Sequence, residues 1–569
     1  MNENQPTGLS LTAVREGKLG LALSGGGFRA ALFHIGVLAR LAQSDLLRYV
    51  ALISTVSGGS IIGAFYYLKV KQLLEGKRED RLRPSAQAYA QLVREVEREF
   101  LAAMQANIRL LTFADHRENA RMLANESSPN HRVADLFDRS FFAPITGTAT
   151  NLLRDLPIQL DPAVGIAGEH PIVPRLILNA TSLNSGHLFQ LCGTHVGETS
   201  VFSVSSTFSA MQALPRLNMD DPVLSRKQRA QLNKITLGEA VIASCCVPGI
   251  VDPFELAGLY GEDDEGEEVV VRLVDGGVFD NQGLVSLFEE DCTHFVCSDG
   301  SDVLQWQANP AELFHNVALR ANDILMDRVR ITVMQELMQR GEDCFALFTL
   351  GAPDGGEIFA EDAARFARSL KCIRTDLDAF SDIEAWSLMY HGFMVSRRHL
   401  AGRKNPAASA GEEQDDSQYQ WRFNGICALA ADPDERERVL KYLEVGSRQF
   451  LKVFYLGKPL PWFIVILPTL IPVSATVLLI FMLPPIPAPA WVVLGLMALS
   501  AVAFTQNARI IAWLDQVEFL RSARKKMAQV LEPLGITIIL GGIGALASWI
   551  NLRIFNPLFL RYGRLEDKD

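Results

Sequence analysis

Two stretches, LGLALSGGGFRA at 19–30 and YVALISTVSGGS at 49–60, decide the fold. Each is a short apolar run that stops at glycine or serine and passes into a helical pattern. After the first, Leu32, Ile35, Leu38 and Leu41 recur at helical spacing. After the second comes IIGAFYYLKVKQLL at 61–74. Strand, helix, strand, helix in close succession is the pattern of an α/β protein whose parallel strands are buried on both faces.

Working outward, further strands are expected at 174–181 (PRLILNAT), 187–192 (HLFQLC), 269–274 (VVVRLV) and 294–299 (HFVCSD). The stretch 88–160 reads as mostly helical, and 311–341 as one long helix. Thr236, with Glu239 three residues on, has the form of a capping box that starts a helix. The acidic run 262–268 reads as a solvated turn, and 402–420 as a flexible insertion of loop composition.

At 569 residues the chain exceeds one ordinary domain, and 49% hydrophobic residues exclude a mostly disordered protein. Lys and Arg number 54 against 65 Asp and Glu, a net charge of −11 that argues against nucleic acid as a partner. The 8 cysteines form neither a disulfide framework nor a C-x-x-C pair, so no metal is expected. Residues 1–17 are a polar tail without a signal-peptide core, which places the bulk of the chain in the cytosol.

The C-terminal part differs. From Pro459 to Ala508, 50 residues contain no Asp, Glu, Lys or Arg. One helix of that length would run about 75 Å, against a bilayer core of about 30 Å. Pro484, Pro485, Pro487 and Pro489 break it. Two spans are therefore expected, at about 461–483 and 490–506, with Trp462 and Trp491 near the boundaries. A buried hairpin in a soluble core would need unusually long uncharged helices. A third uncharged segment, about 534–552, either spans or re-enters. Arg509, Arg521, Arg524, Lys525 and Lys526 put the intervening segment in the cytosol, and with it the N-terminal domain.

Three motifs carry chemistry. Ser24-Gly25-Gly26-Gly27-Phe28-Arg29 follows a strand and turns backbone N–H groups toward one spot, an anion site. It also satisfies a dinucleotide fingerprint, but the second strand ends in Thr55-Val56-Ser57 and lacks the carboxylate a ribose needs. Thr55-Val56-Ser57-Gly58-Gly59 has the form of a nucleophile elbow, with Thr in place of the first glycine. Asp275-Gly276-Gly277 puts a carboxylate at a strand end. Each alone reads equally as an ordinary turn. Together they supply the oxyanion donors, nucleophile and base of acyl transfer. No histidine is evident as base: His34 lies in a helix, and His187 and His294 lie in or beside strands. A desolvated Asp beside the Ser suffices.

This set resembles the patatin-like phospholipase family. Gly25-Gly26-Gly27-Phe28-Arg29 is similar to the family's G-G-G-x-R/K, Ser57 to its G-x-S-x-G nucleophile and Asp275 to its D-G-G/A aspartate. Ala243-Ser244 through Pro248 is similar to its A-S-x-x-x-P block, and 311–400 to the extension of bacterial members. The resemblance implies a three-layer α/β/α domain at 18–305; a mostly helical extension at 306–455 is expected after it, and the uncharged runs, which are no part of the family's common core, make 456–569 the expected membrane region. It implies a lipid acyl hydrolase of phospholipase A or lysophospholipase type, without metal or cofactor. Ser57 would attack the ester and Asp275 take its proton. Gly25, Gly26, Gly27 and Arg29 would hold the oxyanion, with Gly58, Gly59, Gly276 and Gly277 in support. The expected partners are membrane phospholipid or lysophospholipid and the bilayer, with the catalytic domain on the cytoplasmic side of a bacterial inner membrane. A lipid acyltransferase using the same dyad and a non-catalytic membrane scaffold remain alternatives, and oligomeric state is open.

Overall fold

The computed structural model describes residues 9–456 and 548–565 apart from 10, 124–127, 163–170, 200–212, 263–265, 302–303, 305, 311, 313, 353–358, 360–361, 402–419 and 449–451. The expected spans at 461–483 and 490–506 and most of the 534–552 segment therefore lie outside the described residues, as does the expected insertion at 402–420, its last residue excepted. Among the described residues no helix is long and apolar enough to cross a membrane. The chain divides into two units: residues 1–108, 130–444 and 564–569 form one, and residues 109–129 and 445–563 the other. In the second unit, the described part includes the π-helical turn Asn551–Phe555 and the helix Asn556–Tyr562.

The first unit is built on one mixed sheet. Strand β1 (Leu19–Leu23) and helix α1 (Gly27–Gln43) come first, then β2 (Val50–Val56) and α2 (Gly58–Leu74), and α3 (Ala86–Met104) follows. The remaining strands are β3 (Arg175–Ser182), β4 (Leu188–Cys192), β5 (His195–Glu198), β6 (Leu217–Asn218), β7 (Phe254–Leu256), β8 (Val271–Asp275), β9 (His294–Asp299) and β10 (Phe345–Thr349). Their order is β10-β9-β1-β2-β3-β4-β5-β6, with β8 joined to β3 and β7 to β8. The expected parallel core is β10 through β3. Beyond β3 every pairing is antiparallel, which the first two strand–helix units gave no reason to expect.

Layering follows from the period-2 alternation of strands. Ala22, Leu52 and Ile177 turn to one face, where Leu284, Leu287, Phe288, Val333 and Leu337 cover them. Those residues come from the helix Leu284–Glu289 and the long helix Phe314–Gln339. Thr55 and Leu23 turn to the other face, against Gly63 of α2. There Phe28, Phe65, Phe100 and Phe141 interlock edge to face and stacked, joining α1, α2, α3 and the turn Asp138–Phe142.

A long helix outside this arrangement, Asp382–Ala401, crosses α1 at backbone contact. A methyl at Gly36 would fall 1.8 Å from the Met389 carbonyl oxygen, and one at Gly392 would fall 2.2 Å from that of Phe33. Both partners are backbone and cannot swing away. Gly36→Ala should therefore lower stability by about 1–3 kcal/mol, the usual cost of overpacking. A urea melt of this variant with an unshifted midpoint would contradict the crossing.

Candidate active site

The sheet register brings Ser57 and Asp275 together. On one edge of β3, β2 pairs as far as Val56 opposite Asn179. On the same edge, β8 arrives from the other direction and ends with Asp275 opposite Ala180. Asn179 and Ala180 are consecutive, so the end of β2 and the end of β8 meet. Ser57, the next residue after β2, has its hydroxyl within hydrogen-bonding reach of the Asp275 carboxylate. Both residues are buried.

Ser57 sits at φ 51°, ψ −120°, between a strand and the first turn of α2. A non-glycine residue with positive φ is strained, and such strain persists only where the surroundings impose it. Here Ser244 imposes it. Its Oγ accepts from the Ser57 N–H (2.9 Å), donates to the Asn179 carbonyl (2.6 Å) and lies 2.8 Å from Ser60 Oγ. The Ser60 hydroxyl in turn meets Thr55 Oγ1 (3.0 Å), which donates to the Ile177 carbonyl (3.0 Å). Thr55 thus does not crowd the elbow. Its hydroxyl is bonded and its methyl faces Gly63, where a Cβ would stand 2.4 Å from it. The capping box of Thr236 and Glu239 starts helix Leu237–Ala243, whose C-cap is Ser244.

Asp275 is gripped through its backbone. Its N–H donates to the Cys246 carbonyl (2.8 Å), and its own carbonyl accepts from Thr181 Oγ1 (3.0 Å). The Gly277 N–H donates to its Oδ1 (2.8 Å). At Gly276 any side chain would strike the Asn179 carbonyl at 2.3 Å, so glycine is required there. Burial pushes the Asp275 carboxyl up to about 6, only partly offset by the bonds from Ser57 and Gly277. The Cys245 thiol lies beside Ser57, and burial holds it well above the usual thiol range.

The glycine loop closes the site from the β1 side. A Cβ on Gly25 would lie 3.2 Å from that of Ser57, and one on Gly58 would lie 2.0 Å from the Gly27 carbonyl oxygen. Gly59 is pressed equally close to the Leu23 carbonyl. The three expected oxyanion donors are not equivalent. The Gly25 N–H donates to the Asn281 carbonyl (3.0 Å) and is occupied. Gly26 is the N-cap and Gly27 the first residue of α1, and Gly58 is the first residue of α2. Their N–H groups belong to first turns, which intrahelical bonding leaves open.

Arg29 is placed differently from the expectation that it helps hold an oxyanion. Its Nη1 donates to the carbonyls of Lys371 (2.5 Å) and Ile373 (3.3 Å). His34 is also structural. Its Nε2 meets the Ser24 carbonyl at 3.0 Å and its Nδ1 the Ser298 hydroxyl at 2.6 Å, and burial lowers it to about 4. Ser244 and Asn281 stand outside the expected site residues. The A-S-x-x-x-P spacing marked Ser244 without revealing its role, and Asn281, four residues after Gly277, carried no signal of its own. Among the described residues no group of three or more metal-ligating side chains is present.

The arrangement is a strained hydroxyl at a strand–helix turn, a buried carboxylate of raised basicity beside it, and the first turns of two helices packed next to them. No curated protein sequence matches the chain. The crystal structure of VipD from Legionella pneumophila aligns over 95% of this chain and 92% of that one at 13% identity, with a TM-score of 0.23. The family model for patatin-like phospholipases matches residues 21–287, which include the glycine loop, the elbow and Asp275. The chain therefore carries, over residues 21–287, a domain of the patatin-like phospholipase family.

Proposed function

We propose that the chain is a lipid acyl hydrolase that cleaves carboxylic esters of phospholipid or lysophospholipid through Ser57 and Asp275. The observation that carries this reading is the Ser57–Asp275 contact inside a domain of a lipid hydrolase family. Ser57 Oγ attacks the ester carbonyl while Asp275 takes its proton. The N–H groups of Gly26, Gly27 and Gly58 hold the negative charge that develops on the carbonyl oxygen. As the tetrahedral intermediate collapses, Asp275 returns the proton to the leaving alkoxide, which departs as the alcohol. Water then attacks the acyl-Ser57 ester and gives its proton to Asp275. As the intermediate so formed collapses, Asp275 returns the proton to Ser57 Oγ, which restores the hydroxyl as the fatty acid leaves.

Three outcomes are expected. A fluorophosphonate probe should label the wild type and not Ser57→Ala, and the variant should lose about a thousandfold or more in kcat. Labelling that survives the substitution would sink the reading.

Asp275 must be ionised to accept a proton. With its carboxyl raised to about 6, activity is present above that pH and lost below it. The acid limb of kcat/KM on a soluble ester should bend near pH 6, and a profile flat down to pH 4.5 would refute the assignment.

Ser244→Ala removes the acceptor of the Ser57 N–H and frees the elbow to relax. A loss of about 1–3 kcal/mol, or roughly 10- to 100-fold in kcat, should follow with KM little changed. An unchanged kcat would show that the elbow holds without it.

A further inference from the structure

The segment Cys245–Val251 (CCVPGIV) contains no charged or hydrogen-bonding side chain apart from its two thiols. It is rooted in the candidate active site at its first two residues. The Cys245 thiol lies beside Ser57, and the Cys246 carbonyl accepts from the Asp275 N–H at 2.8 Å. From there the chain turns outward. The Ile250 and Val251 N–H groups both donate to the Val247 carbonyl (3.1 and 3.0 Å), and Gly249 takes φ 80°, a left-handed position that closes the turn. Ile250 is 74% exposed and Val247 36%.

A single exposed aliphatic residue is ordinary. An uncharged turn with two of them, tied by one hydrogen bond to the base of the site, is not the usual composition of a surface turn, which favours Asn, Asp and Ser. We infer that this turn is the edge by which the active site enters a lipid surface, with Ile250 and Val247 lodged among acyl chains. The inference rests on the lipid acyl hydrolase reading and names the face that meets the substrate.

The chemistry requires such an edge. The scissile ester of a phospholipid lies at the boundary between head groups and hydrocarbon. A nucleophile that reaches it must bring its own rim below that boundary. The hydrogen bonds from Ile250 and Val251 back to Val247 keep Ile250 folded near Cys246, and an interfacial element need penetrate only about 5–10 Å. The rim residues then exchange water for hydrocarbon at the step in which the ester approaches Ser57.

The test compares the full-length wild type, Ile250→Glu and Ile250→Trp on a soluble short-chain ester and on phosphatidylcholine vesicles. This lipid is zwitterionic, so the added charge meets no net surface charge. Ile250→Glu should lose tenfold or more on vesicles while staying within twofold of wild type on the soluble ester. An equal loss on both substrates, or no loss on vesicles, would overturn the inference.

A second readout does not depend on turnover. In Ile250→Trp the added indole should be quenched by brominated phosphatidylcholine beyond the quenching of the wild-type tryptophans. An unquenched added indole would overturn the inference. Failure of the underlying reading looks different: Ser57→Ala would hydrolyse both substrates as fast as wild type, whatever the state of residue 250.

Discussion

The site depends on one register. Strand β3 holds two strands end to end along a single edge, one parallel and one antiparallel, and the junction falls between Asn179 and Ala180. A shift of β8 by one residue would turn its alternate side chains to the opposite face. The Asp275 carboxylate would then point away from Ser57. The junction is therefore fixed by more than ladder bonds. The Asn179 carbonyl accepts from Ser244 Oγ and lies so close to Gly276 that no Cβ fits there. The Asn179 side chain donates to Ser54 Oγ and the Thr55 carbonyl (2.9 Å each) and accepts from Ser286 Oγ (2.7 Å). Every polar atom of this buried amide is matched. In a low-dielectric interior an unmatched one would be costly, so the network admits few alternative registers.

The same junction carries the energetic cost of the site. A carboxyl held near pH 6 by burial, against about 4 in an unfolded chain, opposes folding at neutral pH by about 3 kcal/mol. The sign follows from proton uptake. Between pH 4 and 6 the folded state keeps the proton that the unfolded state has lost, so stability falls as pH rises through that window. The positive φ of Ser57 adds a further cost of order 1–3 kcal/mol. Asp280 is also buried and also raised to about 6. Its carboxylate accepts from the Gln282 and Val285 N–H groups and so caps the helix Leu284–Glu289. Asp275 differs in having a hydroxyl as its partner.

Local signals in the sequence were legible. The two strand–helix units, the Thr236–Glu239 capping box and the ends of β9 depend on neighbours a few residues away, and residue order encodes them directly. Signals that depend on distant partners were not. Nothing in VVVRLV reveals that it pairs antiparallel with β3, because a buried apolar strand reads the same in either direction. Thr55 departs from the elbow's first glycine, and what accommodates it, the absent side chain at Gly63, lies one helical turn into α2 and shows only when strand and helix are packed. Arg29 looked like an oxyanion ligand because it follows the glycines. Its direction is set by carbonyls more than 340 residues later.

That last displacement bears on where the site ends. The matched domain stops at residue 287, yet the glycine loop is held by residues well beyond it. The Thr375 carbonyl oxygen lies 1.3 Å from where a Gly27 Cβ would be, so the loop and this segment are in backbone contact. Arg29 ties the start of α1 to Lys371 and Ile373. The segment is itself pinned by Arg374, wholly buried, which bonds Asp378 (2.8 Å) and Glu384 (2.6 Å). Buried ion pairs of this kind add little net stability, but removing one partner leaves a charge stranded and is costly. Their effect is to allow one geometry and penalise others. The N–H groups of Gly26 and Gly27 keep one direction only if the loop that carries them does not move, which is what preorganised donors require. The sheet places Ser57 and Asp275 within the matched residues, while the segment 371–384 holds the glycine loop beside them.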